Sequence, residues 1–377
     1  MDWLINTIYY VVPFLVLLGV LVFVHEFGHF IIARKLGVIV SAFSIGFGKE
    51  LWSKTDKHGT VWKISAIPLG GYCQFLGDAD ESSSTEVNLS NYTEEEQKHL
   101  FATQKPVKKL AIAIAGPFFN YLFAFVVFFS LFFFIGTYEI PAVVSGVIEN
   151  SPAQRYGIQV DDIILEVDNQ KINEWNDISR QVSIAVDSVD LTISRNNEII
   201  KITLPLEDIE YAFDKTEKPI KRRMIGIKGE AKKFGKISDN FNFTLSVKKS
   251  FEEIYYTSYM TIKGLGQIFT GERSSDDVGG IIRIAEMSGD ISKSRGLLDF
   301  INFMALLSIN LGLINLFPIP LLDGGHVVIY LLEIVTRREL NTNIKNYLFK
   351  IGLLFILFLM FFATWNDIKH LITRWFE

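Results

Sequence analysis

The chain has 377 residues, of which 49% are apolar, 32 are Phe and only 21% are charged, and its net charge is −5. Ordinary globular chains carry about 25% charged residues. With a mean hydropathy of +0.27, this composition excludes disorder and argues against a fully soluble enzyme. The acidic balance predicts no nucleic-acid partner, and the lone cysteine, Cys73, excludes an intrachain disulfide framework and every Cys-rich zinc site.

Four long uncharged runs supply the hydropathy, and a membrane-crossing helix needs about 20 mostly apolar residues. In chain order the runs are 3–24 (the apolar pattern resuming over 30–33), 110–138, 300–322 and 351–366, the last being the shortest. The first lacks the basic flank and small-residue cleavage site of a signal peptide and is expected to be retained. The fold class predicted is an α-helical polytopic membrane protein with four transmembrane helices, a membrane-associated β-hairpin and an inserted β-rich domain. Its segments are a first transmembrane helix in 1–36, a cytoplasmic loop over 37–107, a second helix over 108–138 and a β-rich domain over 139–208. A linker over 209–296, a third transmembrane helix over 297–333 and a fourth with the tail over 334–377 complete the chain.

Within the first loop, Trp62, Ile64 and Ala66 alternate with Lys63 and Ser65, Pro68, Gly70 and Gly71 predict a turn, and Tyr72 opens a returning strand. Residues 78–98 are acidic and Ser-rich and read as a solvated loop. In the inserted domain, short β-type runs at 143–148, 163–167, 191–194 and 199–204, with a helix over 177–185, suggest a small, partly open barrel. In the linker, Phe251, Ile254, Tyr255, Ile262, Leu265 and Phe269 share one face of a helix over 248–270, expected to lie along the membrane or the domain.

Basic residues mark the cytoplasmic side of short loops. None precedes the first run, whereas Arg34, Lys35, Lys49, Lys54, Lys57 and Lys63 follow it, and Arg337, Arg338 and Lys345 lie between the third and fourth. Both termini and residues 139–296 are therefore expected outside.

The chemistry begins at His25-Glu26-Phe27-Gly28-His29. Helix positions i and i+4 share a face, so two imidazoles can take one tetrahedral zinc with Glu26 beside it as general base. Each ionisable group inside an apolar helix costs about 2.5–3.5 kcal/mol on insertion scales, and a metal is a compensating partner. The alternative is a solvated cluster at a helix end, against which the apolar continuation over 30–33 argues. Catalytic zinc usually has three protein ligands. The acidic residue at comparable depth is Asp323, in Asn315-Leu316-Phe317-Pro318-Ile319-Pro320-Leu321-Leu322-Asp323-Gly324-Gly325. Its prolines and glycines break a helix, which a membrane tolerates where the backbone lines protein or a cavity. From position alone, a plain helix end with a solvated Asp323 stays open.

With these motifs the sequence resembles the site-2 protease family of intramembrane zinc metalloproteases, of the bacterial regulator-of-sigma-E protease type. Gly116-Pro117-Phe118-Phe119-Asn120 and Gly70-Gly71-Tyr72 extend the resemblance over nearly the whole chain. So does the PDZ-like run Ser151-Pro152-Ala153-Gln154-Arg155-Tyr156-Gly157-Ile158 with Asp161-Asp162-Ile163-Ile164, in which Asp161 replaces the usual second glycine. The resemblance implies His25, His29 and Asp323 as ligands of Zn2+, Glu26 as the base, and cleavage within the transmembrane helix of a substrate. It further implies a multi-pass protein of the bacterial inner membrane with an extracytoplasmic PDZ-like domain. Its partners would be the lipid bilayer and single-span proteins such as an anti-sigma factor or a remnant signal peptide. Several family members carry two PDZ domains, whereas here one reads clearly.

Other roles stay open at this level. Asn120 and Asn315 are candidates to stabilise an oxyanion or position substrate, or simply to bond neighbouring helices. Ile64, Ala66, Gly70, Gly71 and Tyr72 form either a hairpin that pairs with an unwound substrate by strand addition or an ordinary cytoplasmic hairpin, and the resemblance favours the first. The PDZ-like domain binds a peptide C-terminus or acts as a size filter or scaffold. Two other functions compete. A metal transporter would spread polar groups along a path through several spans, but here they sit at one depth. A catalytically idle scaffold is opposed by the intact His25, Glu26, His29 and Asp323.

Overall fold

The computed structural model describes residues 2–77, 89–211, 220–229, 236–237 and 240–376. Of the acidic loop expected over 78–98, residues 78–88 lie outside the described residues, and the remainder includes a short helix, Glu94–Gln97, capped by Thr93. In chain order the elements begin with α1 (Asp2–Lys35), β1 (Val40–Thr55), β2 (Val61–Phe75), α2 (Glu94–Gln97) and α3 (Pro106–Phe134). There follow β3 (Tyr138–Glu139), β4 (Gly146–Val147), α4 (Pro152–Arg155), β5 (Ile163–Val167), β6 (Gln170–Lys171), α5 (Trp175–Ile184), β7 (Ser188–Arg195) and β8 (Glu198–Pro205). Next come β9 (Glu207–Tyr211), β10 (Ile220–Met224), β11 (Ile227–Lys228) and β12 (Lys236–Ile237). The helices α6 (Phe243–Thr270), α7 (Ile281–Ser294), α8 (Leu297–Asn315), α9 (Asp323–Thr336) and α10 (Thr342–Phe376) end the chain.

Two compact units form. The first comprises Met1–Phe128, Glu253–Ser258 and Asp276–Glu377, and the second Phe129–Glu252 and Tyr259–Ser275. Among the described residues, four stretches are long and apolar enough to cross a membrane: Tyr9–Lys35, Pro106–Phe134, Leu297–Asn315 and Thr342–Thr373. They fall on the four uncharged runs. The third expected segment, 297–333, comprises two helices, α8 and α9, and residues 316–322 between them are the break expected from the prolines and glycines. Pro318 and Pro320 have no amide to continue the ladder, and Leu321 takes a φ of 90°. The shortest run belongs to the 35-residue α10, because flanking polar residues continue the helix beyond the apolar stretch.

In the first unit, Leu17 and Leu21 of α1 pack with Phe300, Phe303 and Met304 of α8. Nearer the other end of α1, Phe30 and Ala33 join Phe43 of β1, Ile112 of α3, Ile329 of α9 and Phe349 of α10 in a second core. The expected hairpin inside 61–75 is also corrected. That segment is the single strand β2, and its antiparallel partner is β1. Residues 40–45 lie opposite 75–71, and 50–55 opposite 65–61, while 42–45 also lie beside 61–64. The strands turn at Gly46, Gly48 and Gly70, with φ of 91°, 81° and 139°, values open chiefly to glycine. The helix α7 was not expected; its first amides, Gly280, Ile282 and Arg283, donate to the buried Asp367 carboxylate of α10. Tyr10 of α1 donates to Asp290 of α7 at 2.9 Å.

In the second unit, a four-stranded antiparallel sheet has the order β6-β5-β7-β8. Its inner face buries Val144, Ile164, Val167, Leu191, Ile193 and Leu204. Ile225 belongs to the same core, and β11 pairs with β4, so the domain extends past the expected boundary at 208. Asp161 has a φ of 70°; it occupies a left-handed position where glycine is favoured and Asp is tolerated.

Candidate active site

The α1 helix carries His25, Glu26 and His29, and the break over 316–322 delivers Asp323 to the start of α9. His25 Nε2 lies 3.1 Å from Asp323 Oδ2, His29 Nε2 lies 3.4 Å from Asp323 Oδ1, and the two Nε2 atoms are 3.3 Å apart. One ligand atom from each residue fits within 4.8 Å of the others, so the three can hold one metal ion. Two further observations fit a cation here. His29 Nδ1 donates to the Ile112 carbonyl at 2.8 Å, which leaves the Nε2 lone pair aimed at the cluster. Asp323 Oδ2 is buried without a hydrogen-bond partner. Two imidazoles and a carboxylate, with water in the fourth position, match the donor set of catalytic zinc.

Close helix contact makes this possible. A Cβ on Gly116 of α3 would overlap His29 Nε2 and lie 2.8 Å from His25 Cε1. A Cβ on Gly71 would lie 2.5 Å from the Ser44 carbonyl oxygen and 2.6 Å from Val22 Cγ1, so glycine lets β2 lie against α1 beside Glu26.

The cluster opens on a cavity of about 270 Å³, lined by His25, Glu26, His29, Asn315 and Asp323 and by residues 71–75 of β2. The Cys73 backbone amide donates to the Glu26 carboxylate. Asn315 lines the cavity, with Nδ2 3.5 Å from His25 Nε2. Asn120 is not among the lining residues; its Nδ2 lies 3.0 Å from His25 Nδ1, on the ring edge away from the cluster. Of the hairpin candidates, Gly71 and Tyr72 line the cavity, whereas Ile64, Ala66 and Gly70 do not. Sequence reasoning missed His326, a lining residue three positions after Asp323. Helical i, i+3 spacing from Asp323 was the available signal.

Comparison with known proteins decides the family. The model of peptidase family M50 matches residues 13–359. The chain belongs to peptidase family M50, the site-2 protease family. A candidate zinc metalloprotease of Agrobacterium fabrum is 37% identical over 365 residues, covering 96% of each chain. One of Rhizobium meliloti is 36% identical over 378 residues, covering 98% of this chain and all of its own. One of Campylobacter jejuni is 34% identical over 375 residues, covering 97% and 95%. The M50 protein is accordingly a membrane-embedded zinc metalloprotease. Among solved structures, the PDZ domain of the SdrC-like protein of Listeria innocua aligns with 24% of this chain and 92% of its own, at 25% identity and a TM-score of 0.18, a score that establishes no fold.

Proposed function

We propose that this M50 enzyme cleaves a peptide bond within the transmembrane segment of single-span membrane proteins, with His25, His29 and Asp323 as zinc ligands and Glu26 as general base. The observation that carries this reading is the convergence of three ligand atoms, with Glu26 on the same cavity, among helices apolar enough to cross a membrane.

Zinc, when bound, supplies positive charge that acidifies water and polarises a peptide carbonyl. Glu26 takes the proton of the attacking water and returns it to the leaving amine. The amide of Cys73 holds one side of that carboxylate and so orients it. Asn315, on the cavity side of His25, donates to the developing oxyanion. Backbone amides of a helical substrate are bonded internally, so the helix must unwind before attack. Residues 71–75 are paired on one side with 40–45 and line the cavity. An extended substrate segment adds to β2 there, as a strand adds to an open sheet edge.

The basic residues flanking the spans support a reading in which the site lies near the cytoplasmic side of a bacterial inner membrane and the second unit outside. That unit is read as a PDZ-like domain that excludes substrates with bulky outer parts. The test is turnover of a model single-span substrate in proteoliposomes. Wild type is expected to cleave, Glu26→Gln to keep its zinc and lose cleavage, and His25→Ala to lose both. Cleavage by Glu26→Gln at the wild-type rate would overturn the assignment of the base.

A further inference from the structure

Asn120 presents a problem that an oxyanion role does not solve. It is fully buried on α3, outside the cavity lining, with its amide 3.0 Å from His25 Nδ1. The neighbouring helix fixes it there: Ser308 of α8 donates to the Asn120 carbonyl at 2.9 Å, and a Cβ on Gly312 would lie 3.2 Å from Asn120 Cβ. In that position the side chain reaches His25 and no reacting atom.

We infer that Asn120 is a positioning residue for the metal centre, its carboxamide oxygen accepting from His25 Nδ1–H and so holding the ring in the tautomer and orientation whose Nε2 faces the ion. The inference rests on the ligand set proposed above. A neutral imidazole with a metal on Nε2 carries its proton on Nδ1, which then needs an acceptor. His29 meets the same need with the Ile112 carbonyl, while among the described residues the partner at His25 Nδ1 is Asn120. A donor Nδ2 facing Nδ1–H would set two protons against each other. A half-turn of the planar amide exchanges nitrogen and oxygen at nearly unchanged positions, and it gives a donor to Asn120 Oδ1, which is otherwise buried without a hydrogen-bond partner. Partners of this kind on a ligating His raise its basicity, and their loss typically costs 10–100-fold in metal affinity.

The experiment is zinc affinity of the purified full-length chain in detergent, read by competition with a chromophoric chelator. Asn120→Leu removes the acceptor and is expected to weaken zinc binding about 10–100-fold. Asn120→Asp keeps an acceptor and cannot donate, and is expected to stay within about threefold of wild type, as a carboxylate partner serves other zinc-bound His residues. Thermal unfolding of the metal-free proteins controls for folding, and Asn120→Ala, which cannot overfill the site, replaces Asn120→Leu if that variant does not fold. Wild-type affinity in Asn120→Leu or Asn120→Ala overturns the inference, as does equal weakening in Asn120→Asp, which would mark a donor or a packing role. Wild-type affinity in His25→Ala would instead overturn the ligand set, and the inference with it.

Discussion

Gly116 is where helix packing and metal chemistry meet. Any side chain there enters the space of the His25 and His29 rings, and those rings are themselves in contact with Asn120 and the Ile112 carbonyl. Gly116→Ala is therefore predicted to insert into the membrane normally yet lose at least about tenfold in zinc affinity, measured as zinc per chain after dialysis against a chelator. Full zinc occupancy would show that the helices shift apart freely. Glu26→Gln makes the opposite split: zinc content near wild type, with turnover down at least about 10²–10⁴-fold, the range of general-base catalysis.

Much of this site was legible at the same scale. The shared face of His25 and His29, with Glu26 beside them, follows from helical spacing, whereas Asp323 in a broken apolar helix left a solvated helix end open, and only the packing brings its carboxylate to both imidazoles. Asn120 and Asn315 look alike in sequence, because both are amides in uncharged runs. Only the packing separates them, one on the Nδ1 edge of His25 and the other on the Nε2 side. Gly116 was visible as part of a motif, but the side chain it excludes lies on another helix.

At the scale of elements, β1 and β2 are the least legible. Glycines at 46 and 48 interrupt the period-2 pattern of β1, and the pairing joins residues far apart in sequence, so the turn residues Pro68, Gly70 and Gly71 suggested a local hairpin that does not form. The same glycines let the strands curl so that 71–75 reach the cavity. Gly71→Val is predicted to push β2 away from α1 and Glu26, reducing substrate cleavage at least about tenfold with zinc content unchanged; unchanged cleavage would remove this edge from the substrate path. The helix α7 was missed because only six of its 14 residues are apolar and its start is set by Asp367, 87 residues away from Gly280. Three amides bond that buried carboxylate, and hydrogen bonds to charged groups contribute about 1.5–3 kcal/mol each. Asp367→Ala is predicted to expose the segment around residue 280 to protease faster than wild type, seen by limited proteolysis in micelles. An unchanged cleavage rate there would mean that the packing of α7 on α1, α8 and α10 holds it without that carboxylate.

For the whole molecule, hydropathy gave the four spans because burying backbone in lipid demands long apolar helices. The extent of the inserted domain was less legible, since Ile225 and β11 return to its core after the β9–β10 excursion. A deletion meant to remove the domain must therefore take out 142–229. That variant is predicted to keep its zinc and to accept substrates that retain a large outer domain, which the intact chain rejects; unchanged selectivity would oppose a filter. In a cysteine-labelling scan on a Cys73→Ser background, Glu94→Cys should react only from the cytoplasmic side and Glu198→Cys only from the outer side. The reverse pattern would invert the orientation.

The central claim is that hydrolysis occurs inside the bilayer. Its most direct measurement is mass spectrometry of the fragments released from a single-span substrate by the wild-type protein in zinc-containing liposomes, with Glu26→Gln as the control. The prediction is one dominant cut within the apolar segment of the substrate, absent from the control. Cuts confined to the loops outside that segment, or fragments formed equally by Glu26→Gln, would contradict it.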